Sequence, residues 1–78
     1  MPYIPEKDRL IVDCNNPINV GELTYKLYKM CLEYVDDSHV SYKDYAHVIG
    51  ALECTKMEFY RRVLAPYEDI KMRKNGDV

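Results

Sequence analysis

From Ser41 to Leu64 the sequence runs without a proline and places apolar residues at helical spacing on two sides. That double-sidedness limits what the chain can fold into. At ~100° per residue, one stripe collects Tyr45, Val48, Ile49, Leu52, Phe59, Tyr60 and Val63. The opposite side is not uniformly charged: Ala46, Gly50, Cys54 and Met57 recur there, flanked by His47 and Arg61. Small residues four apart let another helix approach closely. The segment from Asn19 behaves alike. Val20, Leu23, Thr24, Leu27, Met30, Cys31 and Tyr34 form its main stripe, and Tyr25, Tyr28, Leu32 and Val35 a second edge. Two helices of a hairpin cover only one face of each other, so apolar surface is left over. A chain of 78 residues has barely enough core for one domain. A homo-oligomer supplies the missing cover, with Ala46, Gly50, Cys54, Met57, Tyr25, Tyr28 and Leu32 expected between copies. The plainer alternative is that the two ends of the chain do the covering.

Local signals give an all-α fold, because no segment alternates with period two for the length of a strand. Residues 1–18 read as an arm with Pro2, Pro5 and Pro17, and a short helical turn from Pro5 to about Asp13. Asn19-Val20-Gly21-Glu22 has the form of a capping box, with Ile18 and Leu23 placed for a hydrophobic staple. The helix it opens is expected over 19–36, followed by a loop at Asp36-Asp37-Ser38-His39. Ser41 caps a second helix over 41–64, with Asp44 at its third position. Pro66 stops or kinks that helix and can start a last one over 66–74. Glu68 and Asp69 then lie in the first turn, Lys71, Arg73 and Lys74 in the last, and Asn75-Gly76 supplies a left-handed stop. The expected architecture is one domain, 1–78: an antiparallel helical hairpin with an N-terminal arm and a C-terminal helix, assembled as a homo-oligomeric bundle.

The chemistry-bearing residues are few. Lys56 falls near the centre of an apolar stripe, between Leu52 and Phe59. Burying its ammonium unpaired would cost several kcal/mol or its proton. The structural reading sends its head outward to Glu53 or Glu33; the functional one lines a pocket with it, facing an anion. Arg61, Arg62, Lys71, Arg73 and Lys74 make the C-terminal end net positive on a chain of net charge -2. Guanidinium groups beside Tyr60 and Tyr67 suit phosphate pairing and base stacking. Glu58 and Arg62 are also spaced for an ordinary helix-surface ion pair.

Other classes are disfavoured. His39 and His47 have no partner at metal-ligand spacing, so neither a metal nor a cofactor is expected. No phosphate-binding loop or nucleophile elbow occurs, and Cys54 reads as packing, so the chain is not expected to be an enzyme. The acidic balance argues against nucleic acid. A helix-turn-helix, with Gly50 near its turn and Thr55 to Arg62 as recognition helix, is the third option. It would bury Lys56, and Ala51-Leu52-Glu53 is a poor turn. No apolar run approaches a membrane span and the first residues lack a signal-peptide pattern. The three cysteines, Cys14, Cys31 and Cys54, form no CxxC pair. Reduced thiols in the cytoplasm are the expectation.

The stretch from Ile49 through Gly50-Ala51-Leu52-Glu53-Cys54, Lys56, Glu58-Phe59-Tyr60-Arg61-Arg62-Val63 and Pro66-Tyr67-Glu68-Asp69 is distinctive. With Asn75-Gly76-Asp77-Val78, Met1-Pro2-Tyr3-Ile4 and Gly21-Glu22-Leu23, it resembles a family of very short proteins encoded by bacteriophages, prophages and their bacterial hosts. The resemblance implies an intracellular protein of mobile-element origin and brings no established activity. The leading expectation is therefore a homo-oligomeric binding protein sequestering an anionic nucleotide signal in host counter-defence. Its site would comprise Lys56, Tyr60, Arg61, Arg62 and Tyr67. The alternative is a protein–protein interaction module that inhibits or adapts a host protein.

Overall fold

A computed structural model of the chain describes residues 4–37 and 39–78. The expectations that fall on Met1, Pro2, Tyr3 and Ser38 lie outside the described residues. The described chain is all-α and divides at Ser41/Tyr42 into two units.

In the first unit the arm forms its short helix as a tight 3-10 turn, Glu6–Asp8, that runs into α1, Arg9–Asp13. Pro5 starts the turn, and its carbonyl accepts the Asp8 N–H at 2.9 Å. Ile4 and Val12 are the buried apolar residues here, each 7% exposed. The Arg9 Nε donates to the Ile4 carbonyl at 3.2 Å, tying the segment before the turn to α1.

The second helix, α2, spans Val20–Tyr34. Asn19 caps it as expected: extended at φ -149 and ψ 172, it accepts the Glu22 N–H at 2.8 Å. The return half of the box is displaced by one residue. Glu22 Oε1 accepts the backbone N–H of Ile18 at 3.3 Å, and its Oε2 accepts from Asn19 Nδ2 at 3.3 Å. The staple is not closed, since Ile18 remains 84% exposed. Polar bonding fixes this helix start, and apolar packing adds little there. Replacing Asn19 with alanine should therefore destabilise the unit by about 1 kcal/mol, measured as a lowered urea midpoint at unchanged slope.

The second unit departs from the sequence reading at Pro66. α3, Tyr42–Phe59, is not followed by a break at the proline. It passes through a π turn, Tyr60–Leu64, into α4, Ala65–Asn75, so the backbone is helical from Tyr42 to Asn75. The expected boundary between 41–64 and 66–74 is thus replaced by one continuous rod. Proline lacks the N–H for an i→i−4 bond, and its ring crowds the carbonyl four residues back. A wider turn, with the Ala65 N–H reaching five residues back to the Tyr60 carbonyl, absorbs both defects. The rod ends as expected, at Gly76 with φ 84, where a side chain would be strained.

Candidate functional site

The rod carries the residues singled out for ligand binding, and the structure gives most of them partners on their own helix. Lys56 Nζ lies 3.0 Å from Glu53 Oε1, one turn earlier, with the side chain 71% exposed. That is the structural reading of Lys56. Arg61 Nη2 donates to both oxygens of Glu58, at 2.8 and 3.0 Å. Arg62 Nε pairs with the same carboxylate from one turn away. One acid therefore holds two guanidinium groups. Lys71 sits over the Tyr67 ring at 5.6 Å, a cation–π contact between neighbouring turns.

Tyr60 has a partner that sequence spacing does not suggest. The charge of the Glu68 carboxylate beside it raises the phenol pKa above the usual tyrosine value. In a regular α-helix a residue eight positions on lies ~80° round the axis. The π turn absorbs one extra residue and brings Glu68 back to within ~20° of Tyr60. The same shift aligns Tyr67 with Val63 and Phe59. A uniform helical projection past Tyr60 is wrong by about one residue step.

Lys56, Tyr60 and Arg61 do share a surface. With Glu53, Cys54 and Met57 they line an open shelf of about 870 Å³ along one side of the rod. Arg62 faces a second depression beside Phe59 and Val63. Tyr67 lines neither. An anion on the shelf would have to draw Arg61 away from Glu58, which holds it by two hydrogen bonds.

The interface residues expected between copies divide similarly. Ala46, Gly50 and Cys54 are exposed and Met57 is 60% exposed, with open space beside the Gly50 Cα. Tyr28 and Leu32, 48% and 47% exposed, line a cleft of about 520 Å³ against the arm with Ile4 and Arg9. Tyr25 is committed within its own unit, because its hydroxyl donates to Asp13 Oδ1 at 2.9 Å.

Asp13, Tyr25 and Lys29 form a clasp between α1 and α2 that the sequence reading missed. Lys29 Nζ donates to Asp13 Oδ2 at 2.5 Å and lies 5.9 Å from the Tyr25 ring centre. Tyr25 and Lys29 stand one turn apart on α2, which was the available signal; nothing pointed to Asp13 as their partner. The Lys29 hydrogen bond holds the Asp13 carboxyl below its ordinary pKa, and Asp13 in turn raises Lys29. The Asp13 contribution is present above the usual carboxylate pKa of 3.8 and is lost as pH falls through its lowered value. The Lys29 contribution is present below the usual 10.5 and is lost as pH rises through its raised value. The clasp should therefore hold across the neutral range. Lys29→Met should return the Asp13 carboxyl towards its ordinary value in a carbon-detected NMR titration.

The model of the family described as Domain of unknown function (DUF6899) matches residues 1–78, the full length given. The chain belongs to this family. No curated protein and no solved structure matches the DUF6899 chain. Among its described residues, no group of His, Cys, Asp and Glu is arranged to hold a metal ion. Nor is any of its described helices long and apolar enough to cross a membrane. No turn interrupts α3 at Ala51-Leu52-Glu53, where a helix-turn-helix would need one. The DUF6899 chain instead presents an uninterrupted helix there.

Proposed function

We propose that this protein is a small self-associating helical module that works by binding, with an anionic ligand held where copies meet. The exposed apolar surface of the rod carries the reading. Ile49 is 67% exposed, Phe59 64% and Val63 51%, on a helix whose own residues offer them no cover. A single helix is marginal in water and gains most of its stability by burying an amphipathic face. A second copy provides such cover and walls the shelf that Lys56, Tyr60 and Arg61 line. A second contact between copies, through Ala46, Gly50, Cys54 and Met57, belongs to the same reading. The ligand class, an anionic nucleotide, follows from arginines beside tyrosines. A cytoplasmic, mobile-element setting rests on the resemblance of the C-terminal segment.

Light scattering coupled to size-exclusion chromatography tests the assembly: the mass expected is two or more chains, and a single-chain mass at high concentration rejects it. A thermal-shift series with cyclic and linear nucleotides tests the ligand. A ligand at a hundred times its Kd adds about 2.7 kcal/mol of apparent stability, which moves the midpoint by several degrees. With no shift from any nucleotide and self-association intact, the second reading takes over. In that reading the exposed stripes bind a host protein, whose function is inhibited or adapted.

A further inference from the structure

The main apolar stripe of the rod continues past the π turn. Tyr45, Ile49, Leu52 and Phe59 follow one another along α3; past the extra residue absorbed at Tyr60–Leu64, Val63 and Tyr67 continue the row, with Tyr67 within ~20° of Phe59. All six are 39–67% exposed. Lys56, which would interrupt the stripe, turns aside to Glu53.

We infer that two copies pair antiparallel along this stripe, the C-terminal end of one rod beside the N-terminal half of the other. The inference rests on the self-association proposed above and adds its face and direction. The charge of the rod sets the direction. Tyr42 to Glu58 holds two bases and three acids, whereas Arg61 to Val78 holds five bases and three acids. Antiparallel pairing lays the positive end against the negative half and opposes the two helix dipoles; parallel pairing sets like against like. The area suffices. Aromatic side chains bury 150–250 Å² each, so half of that from three, with similar shares from three aliphatic residues, gives about 500 Å² per copy. A pair then reaches the roughly 1,000 Å² expected of a specific interface.

Nitroxide labels read the direction. In chains whose three cysteines are replaced by serine, a label is placed through Thr55→Cys near mid-stripe or through Lys74→Cys near the rod's end. Antiparallel pairing predicts copy-to-copy distances of about 20 Å or less at the first position, set by the spacing of packed helices. At the second it predicts about 50 Å, from 1.5 Å of rise per residue. Short distances at both positions would overturn the antiparallel direction and leave self-association standing. A single-chain mass for the unsubstituted protein would overturn the pairing and the proposed assembly together. Short distances at Lys74 with long ones at Thr55 would move the contact away from the stripe.

Discussion

Under the proposed pairing, Phe59→Asp should leave the protein as single chains. Phe59 is 64% exposed on the stripe, at the junction of α3 and the π turn. Burial of a phenylalanine side chain contributes about 1.5–3 kcal/mol, and a two-fold contact loses it twice. An aspartate in its place must also be desolvated without a partner. A loss near 5 kcal/mol weakens association by more than a thousandfold, which light scattering and analytical ultracentrifugation read directly. Helix content should fall with it, because the freed rod has no packed face. Gly50→Leu gives the contrast. Its new side chain enters open space on the opposite side and should leave the stripe pair intact, stopping assembly at two copies. Dissolution by Gly50→Leu and tolerance of Phe59→Asp would reverse the assignment of the faces.

Pro66→Ala should strengthen the helix and weaken the assembly, an opposition that few substitutions produce. Proline inside a helix costs about 3 kcal/mol relative to alanine, and the π turn at Tyr60–Leu64 is how this chain lives with it. Without the proline the wide turn can close to regular geometry. Everything after Leu64 then rotates by ~100°. Tyr67 moves from beneath Phe59 to the Ile49 side of the stripe, out of register with its contact in the pair, and Glu68 swings away from the Tyr60 phenol. Circular dichroism should show helix retained or gained. Dimer affinity should fall by about ten- to a hundredfold, the worth of one aromatic contact. The Tyr60 phenol, raised now by Glu68, should titrate near its ordinary value in the variant. Unchanged affinity would mean that Tyr67 plays no part in the contact.

The sequence made some parts of this structure legible and hid others for physical reasons. Helix starts and stops were readable because they rest on local chemistry. Asn19 and Glu22 bond to groups within four residues, and Gly76 answers only to its own backbone angles. The Glu58–Arg62 pair was readable on the same ground. The Asp13–Lys29 bond was not, because it joins residues 16 apart in the chain and pairing across such a gap follows no periodicity. The π turn was half legible. Pro66 announced a disturbance, but whether a helix breaks, bends or widens depends on the turn before the proline. That ambiguity carried into the site. Tyr60 and Tyr67 stand among the arginines in the sequence, but nearness along the chain does not fix a shared face, and Tyr67 lies off the shelf that Tyr60 lines. The pairs Glu53–Lys56 and Glu58–Arg62 follow from helical spacing, whereas the grip of Glu58 on Arg61 as well does not stand out from it.

The wide turn also bears on how this chain tolerates changes in length. Tyr60–Leu64 accommodates one residue more than a regular helix would use for the same advance. A gene that dropped the codon for Arg62 and exchanged Pro66 for alanine would encode a straight helix with Tyr67 still beneath Phe59. The same deletion in the middle of α3 would twist every later side chain out of line. Natural relatives that differ by a single missing residue should therefore carry the gap here, accompanied by loss of the proline.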